Sequence, residues 1–439
     1  MKSRSSCLSL LQAAVALVSF SSRSTTTTFT DAFSVPPVST ATTRWGHHPA
    51  QSSSTALGPV VVGSKDASNA LSYSEQSRRY RRDFFTHDSW LRHRSKDRFV
   101  GTLIKILDSG VVRALAEELI VVGGVATFVI VYNALCVVGY DDLMLQHHDA
   151  LAAPGSYPLM WLPLAGFTLS SPALSLLLVF KTETAYQRWD EARKAWEHTK
   201  NNCRTVCREA CAWIQSAEGL DKAEKLRLTR RITTAVWLFP RTLQTHLLNP
   251  AEDAAAFAAE LRNQLMHENP ELVADVLAAR HKPTLALYEM SCAINDVPLD
   301  TVQRSTMDMA VSGISDALGD CDRIFNSPVP VVYTRFAARF VEIFMLFLPL
   351  ALYKEFEGFW NHWPLIPLSM LLGFFFLGIE ELAIQLEEPF SVLPLGKIAG
   401  SIKLSAEEHY RWTEWALNQE GKDPDEIPGF GFEIKGIME

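Results

Sequence analysis

The sequence predicts an all-α integral membrane protein, a bundle of four transmembrane helices joined to a helical soluble domain. Three observations lead there. Three stretches of bilayer length lack Asp, Glu, Lys and Arg altogether. The long segment that follows the second of them repeats its apolar residues every three to four positions, as helices do. No stretch of any length alternates apolar and polar residues in the manner of a half-buried strand.

The chain opens Met1, Lys2, Ser3, Arg4, followed by the apolar run Leu8 to Phe20. A charged head with a core too short to cross a bilayer is the pattern of a removable signal peptide. Ser21 to Thr55 is rich in Ser and Thr, with Arg23 and Arg44 against one acid, Asp31. Such a segment buries too little apolar surface to fold and has the composition of a transit peptide. The tandem resembles the two-part leader of algae whose plastids have extra membranes, and Asp31, Ala32, Phe33 is similar to their cleavage motif. Residues 1–60 are therefore expected to be leader, with the signal peptide at about 1–32 and the transit peptide at about 33–60. A disordered tail behind a secretory signal is the alternative.

Leu119 to Tyr140, Leu151 to Phe180 and Gly358 to Ile379 are free of acids and of Lys and Arg over 22, 30 and 22 positions. About 20 apolar residues suffice to cross the hydrocarbon. Val331 to Tyr353 is a weaker candidate, because Arg335, Arg339 and Glu342 interrupt it. Spans are thus expected near 115–140, 158–180, 333–353 and 359–380. The segment before the first span carries Arg78, Arg79, Arg81, Arg82, Arg92, Arg94, Lys96 and Arg98, and the one after the second carries Lys181, Arg188, Arg193, Lys194 and Lys200. The loop between them, Asp141 to Pro158, has three Asp and no Lys or Arg. The positive-inside rule places the N-terminal segment and the residues after Phe180 on one side, and four spans return the C-terminus to it. Glu342 then enters the membrane, as a functional acid or as one paired inside the bundle.

The soluble insert, 181–330, reads as helix throughout. Trp189, Ala192, Trp196, Thr199 and Cys203 carry the second span on as a long amphipathic helix. Asp221 to Leu248, Ala251 to Leu265, Pro283 to Asn295 and Leu299 to Phe325 follow. Residues 75–400 form the membrane and soluble unit, with 401–439 as a C-terminal tail. Cys203, Cys207 and Cys211 fall one turn apart on a single stripe, read as helix packing in preference to a metal or redox site. The seven cysteines suggest no disulfide framework.

The net charge of −8 argues against a nucleic-acid binder, whose footprint is basic. No glycine-rich phosphate loop, His-Glu-x-x-His or paired Cys-x-x-Cys occurs, so no enzyme, cofactor or metal site is expected. His147 with His148 reads as a solvated loop pair.

Four blocks then resemble the bestrophin family, most closely its plant and algal thylakoid chloride-channel branch. They are Phe85 to Ser95; Ser171 to Leu174 with Leu176 to Glu183 and on through Arg188 and Trp189 to Trp196; Pro328 to Thr334; and Glu380, Glu381 with Leu386 to Phe390. Their order and their spread over 80–400 make the resemblance specific. It implies a homopentamer around a central pore, with the second span of each copy lining an apolar neck. Matching the second block puts Pro172, Leu176 and Phe180 at that neck. Their spacing of four shares one helix face, which Thr168 extends outward. Ser170 and Ser171 interrupt the apolar run and are expected to open a helix end whose N–H groups attract anions. Lys181 and Arg188 are expected to form a basic vestibule, with Arg188 alternatively tied to Glu191.

Animal members follow the fourth block with acids that help bind calcium. Here Ser391 to Lys397 has none, and calcium needs six or more oxygen ligands, so calcium gating is not expected. The partners implied are chloride or another small anion, membrane lipid and four further copies of the chain, in the thylakoid membrane and with a role in tuning the proton motive force. Bicarbonate as the permeant ion, and a non-conducting membrane scaffold, are the open alternatives.

Overall fold

A computed structural model of the chain describes residues 78, 82–95, 110–136, 158–357 and 362–419. The expected leader, the acidic loop with His147 and His148, and residues 420–439 lie outside them. Among the described residues all regular structure is helical, in twelve α-helices: α1 (His87–His93), α2 (Gly110–Ala114), α3 (Ala116–Cys136), α4 (Leu164–Ser216), α5 (Lys222–Leu247), α6 (Pro250–Leu265), α7 (Pro270–Ala278), α8 (Lys282–Asn295), α9 (Thr301–Asn326), α10 (Val331–Leu352), α11 (Leu365–Glu387) and α12 (Leu395–Gln419).

Four of them, α3, α4, α10 and α11, are long and apolar enough to cross a membrane. Gly123 lets α3 approach α11 closely, since a Cβ there would stand 3.0 Å from the Met370 sulfur. Leu115, Leu119, Val122, Leu174, Leu178, Val341, Phe344, Met345, Leu348 and Leu377 form one buried cluster where the four helices meet. Burial among helices leaves no polar group there without cost, and Asn133 shows how one is accommodated. It is fully buried, and its amide donates to Met160 O at 2.9 Å and accepts from Met160 N at 2.8 Å. That pair of bonds ties α3 to the extended segment leading into α4.

The 53 residues of α4 extend about 80 Å at about 1.5 Å per residue, against a hydrocarbon thickness of about 30 Å. One helix therefore links the membrane layer to the soluble layer. Its outer half packs with α5, α8, α9 and α12 around Trp196, Cys203, Cys207, Ile232, Phe239, Met290, Ile314, Cys321, Phe390, Ile398 and Ile402. The soluble helices begin where short polar side chains meet orphan N–H groups. Asp221 accepts from Glu224 N, Asn249 from Ala251 N with Pro250 at the first position, and Asp300 with Gln303 makes a reciprocal capping box.

The three aligned cysteines are packing residues, as the sequence suggests. Burial pushes the Cys203 thiol up to about 12 and the Cys211 thiol to about 11, so neither is a ready nucleophile or ligand. Two expectations need correction. The last 39 residues are not all tail: α12 buries Leu395, Ile398, Ala399, Ile402, Ala406 and Leu417 in the soluble core. The nine-residue α7, capped by Asn269, was not foreseen. Arg82 of the N-terminal segment bonds Glu252 of the soluble layer at 2.5 Å.

Candidate pore-lining helix

At about 100° per residue, Leu174, Leu178, Lys181 and Ala185 of α4 fall on one side, and Thr168, Pro172, Leu176 and Phe180 fall on the opposite side. The structure separates the two sets. The first set is buried against α3, α10 and α11, with Leu174 fully buried. The second is uncovered, with Leu176 and Phe180 each 55% exposed in the single chain, and with Thr168 and Pro172 exposed beside them. The four expected neck residues thus share one unpacked stripe.

The stripe does not stop at the membrane boundary. Glu183, Gln187 and Lys194 continue it along the same face, all exposed, while the back of α4 is covered by soluble helices. One uncovered face thus runs from the membrane half of α4 into its soluble half.

Ser170 and Ser171 require a correction. No helix end opens there, because α4 runs unbroken from Leu164 through Pro172. Proline removes one N–H, which leaves the carbonyl four residues back, that of Thr168, without its backbone donor. The Ser171 hydroxyl supplies it, donating to Thr168 O at 3.2 Å. Ser170 donates to Phe167 O at 3.2 Å and Thr168 to Leu164 O at 3.2 Å. Hydroxyls restore what the ring removes, which is how a membrane helix tolerates proline. These side chains stabilise the helix and present no free row of N–H groups to an anion.

The basic vestibule is corrected as well. Lys181, 4% exposed, points away from the stripe and forms a buried ion pair with Glu380 of α11. Arg188 is committed to backbone carbonyls: Glu387 O at 3.1 Å, Ser327 O at 2.8 Å and Ile324 O at 2.7 Å. It joins the end of α9 to the end of α11, and its pairing with Glu191 does not occur; Glu191 meets Arg323 at 3.3 Å. Both cations brace α4 from behind its exposed stripe. Glu342 lies on an exposed face of α10 and makes no ion pair among the described residues, so the bundle does not enclose it.

The turn after α11 is an anchoring point for the N-terminal segment. Arg78 bonds Glu388 at 2.6 Å and Ser391 at 2.8 Å, Arg82 donates to Ser391 O at 2.7 Å, and Lys397 pairs with Asp83. The N-terminal segment is thereby fastened beneath the membrane layer. Beyond it, Trp90 and Leu91 of the short helix α1, capped by Thr86, and Phe85 just before that cap are about half exposed.

A family model described as Bacterial/Fungal Bestrophin protein matches residues 89–408. Among curated proteins, the chain is 27% identical over 334 residues to the Arabidopsis thaliana protein named voltage-dependent chloride channel 1, chloroplastic, covering 76% of this chain and 74% of that one. It is 25% identical over 255 residues to a voltage-dependent anion channel-forming protein of a Nostoc species, covering 56% and 77%. The crystal structure of a bestrophin homologue from Klebsiella pneumoniae superposes with a TM-score of 0.53 at 24% identity, covering 67% of this chain and 97% of that one. With four spans, one helix passing through both layers and a family match over most of its length, the chain belongs to the bestrophin family.

Proposed function

We propose that the chain is an anion channel of the thylakoid membrane, passing chloride passively through a pore enclosed by five copies and so tuning the proton motive force. The observation that carries this reading is the stripe of α4: apolar from Pro172 to Phe180, uncovered in the single chain, and continuous with a polar stripe outside the membrane. Five such helices around an axis make a narrow apolar neck that opens into a wider polar mouth. An apolar constriction of this kind closes to ions by losing its water and conducts when it is wetted.

Discrimination against cations need not use a charged side chain. An aromatic ring has a positive edge, so Phe180 turned edge-on to the axis favours an anion over a cation. Lys181 and Arg188 serve this neck indirectly, by fixing the helix that carries it. The half-exposed Phe85, Trp90 and Leu91 suit the headgroup boundary of the bilayer, where amphipathic helices bury their apolar side. The plastid location is supported by the two Arabidopsis relatives with chloroplastic in their names and by the composition of the leader.

The purified, leader-free protein in liposomes should pass chloride and exclude potassium. Reversal potentials after replacing chloride by bicarbonate then name the physiological ion. An assembled oligomer that gives no anion flux would replace the channel by a scaffold.

A further inference from the structure

The soluble layer holds a cluster that the pore does not use. His246 in the last turn of α5, His281 at the N-cap of α8 and Asp322 near the end of α9 bring two imidazoles and a carboxylate together, their ligand atoms all within 4.8 Å of one another. His246 Nε2 lies 2.9 Å from Asp322 Oδ1, and His281 Nε2 lies 3.7 Å from Oδ2. The two rings meet edge to face with centroids 4.5 Å apart. We propose that His246, His281 and Asp322 bind one divalent transition-metal ion of the zinc class per subunit.

The donor set is the first argument. Imidazole nitrogen with one carboxylate oxygen selects zinc and its neighbours over calcium or magnesium, which take oxygen. The spacing is the second. Ligand bonds of about 2.0–2.1 Å in a tetrahedral site hold adjacent donor atoms about 3.3 Å apart. The two His–Asp separations bracket that value, so small side-chain rotations admit the ion.

The third argument is an outer contact. His281 Nδ1 lies 2.7 Å from the Thr284 hydroxyl. In the tautomer that donates Nδ1–H to Thr284, Nε2 presents its lone pair on the Asp322 side, which is the form a metal ion needs, and ligating histidines are oriented by this kind of second hydrogen bond. All three side chains are only partly covered, so an ion can reach them, and the fourth position is left to water.

The location gives the site a consequence for the channel. Asp322 lies within one turn of Ile324, whose carbonyl accepts from Arg188 of the pore helix. A bound ion would fasten the ends of three helices beside that brace.

The test is Zn2+ binding to the purified full chain against a chromophoric chelator, together with the absorption spectrum of the Co2+ form. The wild type should hold one more ion per subunit than either His281→Ala or Asp322→Asn, and the tetrahedral Co2+ bands should vanish in both. Thr284→Val should keep the stoichiometry and weaken binding by about tenfold, the effect of losing an outer-shell partner. Melting temperature in chelator, compared with wild type, shows that the variants are folded. Equal stoichiometry and unchanged Co2+ bands in folded His281→Ala and Asp322→Asn would overturn the proposal.

Discussion

Replacing Phe180 by Ala should raise anion current severalfold in planar-bilayer recordings, and Leu176→Ala should add to it. Each substitution acts at once in every subunit around the axis, widening the neck and removing the apolar wall that expels water. Neither side chain packs into the core of its own chain, so the variants should assemble and melt like wild type. That combination, altered current with unaltered stability, distinguishes a pore wall from a packing surface. If the aromatic edge contributes to selectivity, Phe180→Ala should also shift the chloride-to-potassium permeability ratio toward unity, whereas Phe180→Trp should preserve it. Currents identical to wild type in both alanine variants would remove this face from the conduction path.

The second large effect concerns the ion pair behind the neck. Glu380→Gln or Lys181→Met alone leaves one charge buried among α3, α4, α10 and α11, which costs about 3–5 kcal/mol when a buried pair is broken. The single variants should lose yield of folded oligomer and melt well below wild type. The double variant Lys181→Met with Glu380→Leu should recover most of that loss, because a buried pair replaced by apolar groups of similar volume is often neutral. Size-exclusion profiles and detergent thermal melts measure both. A freely accessible vestibule lysine would give the opposite pattern, with reduced current and intact folding in Lys181→Met.

Much of the fold could be read from the residues because membrane spans and capped helices are written locally. A run without charge of bilayer length needs no partner to be recognised, and even the interrupted third candidate became α10, its Arg335 and Arg339 lying exposed in the first half of the helix. The boundaries of α5, α6, α8 and α9 lie within two residues of the expected ones, and three of these helices start at a side-chain cap, Asp221, Asn249 or Asp300. The resemblance of the second block singles out Pro172, Leu176 and Phe180, and their four-residue spacing, which Thr168 extends, agrees with the one exposed face they share.

What could not be read depends on partners distant in sequence. Glu380 is 199 residues from Lys181, and the carbonyls that hold Arg188 lie 136 or more residues away, so Lys181 looked free for anions and Arg188 was offered only the nearby Glu191 as a partner. Ser170 and Ser171 misled in another way: a serine pair before proline looks like a break, yet the hydroxyl of Ser171 repairs the bond that Pro172 removes. The helix α12 passed as a tail because its apolar stripe is sparse among charged residues and gains meaning only against α4 and α5. The His246, His281 and Asp322 cluster carries no motif, since its members come from three helices.

Cysteine substitution at the neck tests the central claim most directly. Leu176→Cys and Phe180→Cys, placed one at a time in the leader-free protein, should react with a small charged, water-soluble thiol reagent, and chloride flux through liposomes should fall as they do. The parent protein carries Cys292→Ser, since Cys292 of α8 is only partly buried, and should be unaffected because Cys136, Cys203, Cys207, Cys211 and Cys321 are buried. Contradiction would take a clear form: both cysteines shielded from the aqueous reagent and quenching a fluorophore through brominated acyl chains, with flux unchanged.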